Sequence, residues 1–155
     1  LGTRSGIFVF LGDALKGYIA LYLSESILVQ AGFLLFSPSD YLFLSLIFAL
    51  IGHCYPIWFN FNGGKGAATA LGAFLFIDAY FILFPIIGFL IIFLISRFVG
   101  LSTISAFLIL FLQTFFIDHG IHHNFHSFSL LIFIFILYTH RSNIESMYKG
   151  TETKL

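Results

Sequence analysis

Charge is what this sequence has least of. Only 9% of its 155 residues are Asp, Glu, Lys or Arg, against about a quarter in an ordinary soluble domain. So few charges cannot cover a water-facing surface, so most of the exterior must face something else. Cysteine is nearly absent too. A lone Cys54 excludes an internal disulfide and a multi-thiolate metal site. The formal net charge is zero, which removes bulk attraction for nucleic acid. Strict apolar–polar alternation is missing, which argues against the wall of a membrane barrel. A basic leader followed by a short apolar core and a small-residue cleavage site is also missing, so no signal peptide is evident.

What is present is apolar. The chain is 59% hydrophobic with 23 Phe and 7 Tyr, and its mean hydropathy is +1.03. Six apolar runs stand between short polar punctuations: Ser5–Leu23, Tyr41–Phe59, Ala67–Ile77, Tyr80–Ile95, Leu101–Ile117 and Phe128–Thr139. A spanning helix needs ~20 residues, with a range of ~17–25, so the third and sixth runs need flanking Thr, Gly, Asn or Ser residues to complete them. Ile27–Phe36 is too short to span and reads as interfacial or as part of an outer loop. The expected class is an all-α polytopic membrane helix bundle of about six crossings, forming one domain over residues 1–155.

The basic residues orient this bundle. Arg4, Lys65, Arg97, Arg141, Lys149 and Lys154 all fall on one side of a six-crossing chain, and Glu25, Asp40, Asp78 and Asp118 on the other. Both ends are therefore expected in the cytoplasm. Lys16, inside the first run, is the cation left over.

The densest local signal is Asn60-Phe-Asn-Gly-Gly-Lys-Gly66, running into a helix that starts at Ala67. Glycines permit positive φ and leave backbone N–H groups accessible. A helix N-terminus adds a positive dipole end, and Lys65 adds a full charge. Gly63, Gly64, Lys65 and Gly66 thus read as an anion cradle, most naturally for phosphate. The spacing is not that of the nucleotide P-loop, and a tight membrane turn with one lysine fits as well. Asp13 and Lys16 lie three apart on one helix face. They read as a buried structural pair or as groups of a site, facing the bundle interior because charge at membrane depth is costly. His53, just before the helix-breaking Pro56, reads as a packing residue or as a support for the glycine loop.

Two further polar loops fall on the basic side. Arg97, Ser102 and Thr103 offer a guanidinium and two hydroxyls for a second phosphate face, or a snorkelling anchor and an N-cap. His140 and Asn143 leave the sixth run. There His140 reads as a general base or phosphate partner and Asn143 as its orienting group, or the pair as a helix cap. On the other side, His119, His122, His123 and His126 stand at helical spacing. Metal binding is conceivable there, but Gly120 and the scarcity of carboxylates favour a polar turn.

Taken in order, Gly12-Asp13-Ala-Leu15-Lys16-Gly17, Gly52-His53-x-x-Pro56, Gly63-Gly64-Lys65-Gly66-x-Ala68-Thr69-Ala70-x-Gly72, Arg97-Phe98-Val99, His140-Arg141-x-Asn143-Ile144 and Gly150-x-Glu152 resemble the PlsY family. These are bacterial membrane acyltransferases that move a fatty acyl group from acyl-phosphate to glycerol 3-phosphate. The resemblance spans nearly the whole chain and implies seven crossings in the complete family fold. It implies transfer to the sn-1 hydroxyl, giving 1-acyl-glycerol 3-phosphate for phospholipid synthesis in the bacterial inner membrane. The implied partners are glycerol 3-phosphate, acyl-phosphate and membrane lipid, with no cofactor, metal or nucleic acid. Lys65 and Gly63, Gly64 and Gly66 would hold substrate phosphate together with Arg97, Ser102 and Thr103. His140 and Asn143 would line the reaction centre, with Asp13, Lys16 and His53 in support. The family's first crossing and its glycine-serine-asparagine loop are expected upstream of Leu1. Gly100 stands where the family usually has Ser, and Ser146 where it usually has Arg. Two other classes fit the apolar runs: a small transporter, with Asp13 and Lys16 lining a pathway, and an inactive membrane scaffold.

Overall fold

The computed structural model describes residues 3–31, 38–116 and 125–154. Among them the chain is helical and carries no strand. It forms α1 (Thr3–Ala31), α2 (Pro38–Cys54), α3 (Ala67–Ile77), α4 (Leu83–Ser96), α5 (Val99–Gln113), α6 (Phe125–Thr139) and α7 (Arg141–Tyr148). Each of the six apolar runs is centred on one of α1–α6, and the second and fourth also take in the short 3-10 turns Ile57–Phe59 and Ala79–Ile82.

The helices differ in reach. Three segments are long and apolar enough to cross a bilayer: Arg4–Ile27, Asp40–Phe59 and Ala79–Ser96. The pair α6–α7, bent by 53°, makes a fourth when its two helices count as one broken span. α3 has 11 residues and α5 has 15, below the ~17–25 of a full span. The expectation of six crossings therefore rests on six apolar helices of unequal length. Ile27–Phe36, expected to lie at the interface, begins inside the described helix: α1 continues to Ala31, and residues 32–37 lie outside the described residues.

Local chemistry sets the ends. α2 stops at Cys54 because Pro56 has no N–H for the ladder and its ring obstructs the preceding turn. A single 3-10 turn, Ile57–Phe59, follows. α3 begins after Gly66, whose φ of 84° is comfortable only without a Cβ. α4 ends at Arg97 in the left-handed region, φ 62°, with its N–H donated to the Phe93 carbonyl at 2.9 Å. Arg97 and the extended Phe98 turn the chain directly into α5.

The chain forms two compact units, Leu1–Tyr80 and Phe81–Leu155. In the first, α1 packs on both α2 and α3. Ser24 meets Ser45 at 2.5 Å and Lys16 meets His53, so α1 and α2 are antiparallel. Tyr18 and Tyr22 both stack edge-on against Phe76, and Ala14 lies at Gly72, so α1 and α3 run the same way. The α1–α3 crossing is close because Gly17 receives the Thr69 carbonyl and Gly72 receives the Ala14 carbonyl. Small residues are the usual means of bringing membrane helices backbone to backbone.

In the second unit α5 is the central helix. Phe111 stacks on Phe133, and the Gln113 amide donates to the Phe81 carbonyl at 2.6 Å. At the opposite end Gly100 packs on Asn143 and Lys154 lies over the Phe98 ring.

Candidate active site

In the first unit the glycine–lysine loop is held by the end of α2. Gly63 N–H donates to the Cys54 carbonyl at 3.0 Å and Gly64 N–H to the His53 carbonyl at 3.2 Å. A Cβ on Gly63 would overlap the His53 carbonyl, and one on Gly64 would overlap the His53 ring. These two glycines are therefore required by packing. This corrects one expectation: their N–H groups already pair with helix α2, and two of the expected anion donors are committed. The positive field of the loop comes instead from Lys65, which is exposed, and from the first turn of α3, whose N–H groups have no partner within the helix.

Asp13, Lys16 and His53 form one cluster behind this loop. The Lys16 ammonium pairs with Asp13 Oδ1 at 2.7 Å and with His53 Nδ1. Lysine has no acceptor, so His53 Nδ1 accepts and its proton sits on Nε2, the atom facing Gly64. The chain Asp13–Lys16–His53–Gly64 thus links α1 to the loop. The pair is not enclosed as expected, because the Lys16 side chain is 46% exposed. Its two partners are Asp13 on α1 itself and His53 on α2.

In the second unit, His140 caps the start of α7 and is 4% exposed. Its Nδ1 lies 2.9 Å from the Ile136 carbonyl. A carbonyl only accepts, so Nδ1 carries the proton, and in the neutral ring Nε2 carries the lone pair. Asn143, one turn on, donates Nδ2 to Glu152 Oε1 at 2.6 Å. Glu152 is brought there by the chain reversal at Gly150, φ 69°, with Thr151 N–H and Glu152 N–H both on the Ser146 carbonyl. This contact orients the amide: one Nδ2 hydrogen goes to Glu152, and Oδ1 is the acceptor end. The Gly-x-Glu spacing was the only sequence signal for it.

Gly100 explains the seat of Asn143. A Cβ at Gly100 would fall 2.7 Å from Asn143 Cβ and 2.8 Å from its Cγ, so Asn143 fills the space a side chain at position 100 would take. Gly100→Ser is therefore expected to push Asn143 off Glu152. The measured result should be at least a tenfold loss of turnover, the order of a misplaced site group, with little change in melting temperature.

Two expected phosphate ligands are placed differently. Ser102 Oγ donates to the Phe98 carbonyl at 2.8 Å and Thr103 Oγ1 to the Val99 carbonyl at 2.9 Å. Both are buried inside the first turns of α5, and Phe98, not either hydroxyl, is the N-cap. Their hydroxyl protons are committed to the helix. Arg97 is exposed at the α4–α5 turn.

Of the four histidines weighed for metal, His119, His122 and His123 lie outside the described residues. His126 Nδ1 bonds Thr114 Oγ1 at 2.7 Å. Thr114 gives its own proton to the Phe111 carbonyl at 2.6 Å, so His126 is the donor. No group of three metal-capable side chains occurs among the described residues.

The apolar helices and the polar loops between them define an integral membrane protein. Its relatives narrow this class. The profile of the family described as "Glycerol-3-phosphate acyltransferase" matches residues 1–150. A glycerol-3-phosphate acyltransferase of Fusobacterium nucleatum is 33% identical over 154 residues, covering 99% of this chain and 74% of that protein. One from Geobacillus kaustophilus is 36% identical over 155 residues, 100% of this chain and 73% of that one. Two crystal structures of PlsY, an integral membrane glycerol 3-phosphate acyltransferase, are 35% identical. The lysophosphatidic acid form has a TM-score of 0.82 and covers 99% of this chain and 74% of PlsY. The glycerol 3-phosphate form has a TM-score of 0.83 and covers 100% and 73%.

The chain belongs to the glycerol-3-phosphate acyltransferase family, and its activity is acyl transfer to glycerol 3-phosphate. The transporter and scaffold readings are not favoured by this match.

Proposed function

We propose that the acyl donor is an acyl-phosphate, that the sn-1 hydroxyl of glycerol 3-phosphate is acylated, and that the reaction runs at the cytoplasmic face of the bacterial inner membrane. The observation that carries this reading is the anchored loop at α3. Lys65 stands at the N-terminus of a helix, on a turn locked by His53 and Pro56, where a phosphate dianion would be held by charge and dipole together. The crystal form of PlsY with glycerol 3-phosphate supports that substrate here. Arg97, His140 and Asn143 form the second polar set. The family match crosses both compact units, which supports reading them as one acyltransferase domain.

The alternating helix directions support the topology. Within the first unit, Arg4 and Lys65 lie at one end and Glu25, Asp40 and Asp78 at the other. Within the second, Arg97, Arg141 and Lys154 share an end. Both sets fit the positive-inside rule with the polar loops in the cytoplasm.

An acyl-phosphate is a mixed anhydride, so the phosphate is a ready leaving group. The glycerol hydroxyl oxygen attacks the acyl carbon. The bond from that carbon to the phosphate oxygen breaks, and inorganic phosphate leaves with the electron pair. The hydroxyl proton passes to a phosphate oxygen of the substrates or to His140 Nε2; the first is favoured because the group holding the His140 Nδ1 proton, the Ile136 carbonyl, is neutral and stabilises an imidazolium less than a carboxylate does. The protein's share is then positioning and neutralisation of two dianions that repel each other. Asn143 Oδ1 is suited to accept from the attacking hydroxyl.

The test is an assay of the reconstituted protein with labelled glycerol 3-phosphate and each acyl donor in turn. Product from acyl-phosphate, and none from the thioesters of coenzyme A or acyl carrier protein, is expected. Product from a thioester alone overturns the donor assignment. In the same assay His140→Ala should lose only a few-fold in turnover; a loss of ~10²–10⁴ is that of a general base and would return the proton to His140.

A further inference from the structure

We propose that the connection between α2 and α3 is a membrane-inserted aromatic anchor, seated in the acyl chains of the lipid leaflet, which fixes the depth of Lys65. The α2 helix ends at Cys54, but the apolar span it belongs to runs on to Phe59. The last residues of that span follow Pro56 as the 3-10 turn Ile57–Phe59, and their side chains are exposed. Ile57 is 70% exposed, Trp58 90%, Phe59 70% and Phe61 60%. Four large apolar side chains within five residues make a patch that water disfavours. The patch is continuous with a membrane span, and that continuity identifies its occupant as lipid.

The backbone of the turn is built for a place with little water. Phe59 and Phe61 N–H both donate to the Pro56 carbonyl, Asn60 to Ile57 and Asn62 to Phe59, at 3.0–3.3 Å. Gly63 and Gly64 complete the series on Cys54 and His53. Six consecutive donors, Phe59 to Gly64, are thus satisfied inside the chain, which lowers the cost of placing irregular backbone in a low-dielectric layer. Phe61 holds a left-handed conformation, φ 61°, which is a strained choice for a bulky residue. Its ring is exposed along with those of its neighbours. A tryptophan with two phenylalanines at the end of a span is the composition of the headgroup–acyl boundary. Lys65 follows Phe61 by four residues, so the anchor holds the ammonium at the lipid surface. In the reading proposed above, the phosphate of a membrane-borne donor arrives at that level.

Trp58 is the sole tryptophan of the chain, so its fluorescence reports this loop without any substitution and without turnover. The experiment places the full chain in lipid nanodiscs and compares quenching by acrylamide with quenching by lipids brominated near the carbonyl end or near the terminal methyl of their acyl chains. Expected are a blue-shifted emission, loss of most of it with bromine near the carbonyl end, and little effect of acrylamide. Emission as in water with full acrylamide quenching overturns the proposal, and so does strongest quenching by bromine near the terminal methyl. Replacing Phe59 and Phe61 together by Ser should shift the Trp58 emission to the red and weaken the brominated-lipid effect. Unchanged quenching in that variant would show that the two rings do not anchor the loop. Because these readouts need no catalysis, they can fail while the acyl donor assignment stands, and the reverse.

Discussion

Replacing Lys65 by alanine is expected to lower kcat/KM for acyl transfer by about 10²–10³, the usual cost of removing one preorganised group that neutralises developing or substrate charge. The fold should be untouched. Lys65 is exposed, and Gly63 and Gly64 hold the loop around it on the end of α2 through two backbone hydrogen bonds that a change at Lys65 leaves in place. Melting temperature and helical content should therefore match the parent protein while activity collapses. Lys65→Arg should recover part of the loss, because charge is kept while a planar fork replaces a compact ammonium. Salt should weaken substrate binding in the parent protein more than in Lys65→Ala, since an exposed cation is screened within about 10 Å at ordinary ionic strength. Unchanged KM for both phosphate-bearing substrates in Lys65→Ala would end the anion-cradle reading of this loop.

The second large effect is structural. Gly72→Val is expected to break the α1–α3 crossing. Even the Cβ of alanine at Gly72 would overlap the Ala14 carbonyl, and one at Gly17 would overlap the Thr69 carbonyl. Both obstacles are backbone, so no rotamer change relieves them and the helices must move apart. Overpacking of this kind costs about 1–3 kcal/mol or more, and here two helices would also lose their shared core. A lower melting temperature in detergent and loss of activity are expected together, because the α3 N-terminus carries Lys65. Gly12→Ala is the control. Nothing lies within 4 Å of a Cβ at Gly12, so that variant should melt and turn over like the parent. Equal damage from Gly12→Ala and Gly72→Val would show that general helix perturbation, and not the close crossing, is responsible.

These two predictions differ in where they could be read. Lys65 stands out in the sequence because a cation beside three glycines between apolar runs is unusual chemistry in an unusual place. Gly17 and Gly72 do not stand out; they are two of 14 glycines, and spacing does not separate them from Gly12. What separates them is which helix lies alongside, at which height, and that is a property of the crossing.

The same division runs through the site. Apolar runs reveal helices because hydropathy acts locally, residue by residue, and each of the six runs is centred on one helix. Basic residues assign a side because membrane insertion reads charge one loop at a time. The donors and acceptors of a polar loop are not local in this sense. Gly63 and Gly64 looked like exposed anion donors and turned out to serve the carbonyls of His53 and Cys54, on a helix that ended several residues earlier. Ser102 and Thr103 looked like ligands or caps and bond their own helix, because α5 starts earlier than a hydroxyl cap at those positions would place it. The proton of His140 lies on Nδ1 because the Ile136 carbonyl is below it, and the Asn143 amide is oriented by a glutamate nine residues away.

The sequence by itself thus determined that the chain is a helical membrane protein, which of its loops are polar and which family it resembles. Each of these follows from composition, order and charge along the chain. Only the tertiary structure decided which glycines are structural, which hydroxyls are already committed and which histidine nitrogen holds the proton. A hydrogen bond is settled by the partner that packing brings within reach, and that partner is not written beside the residue it serves.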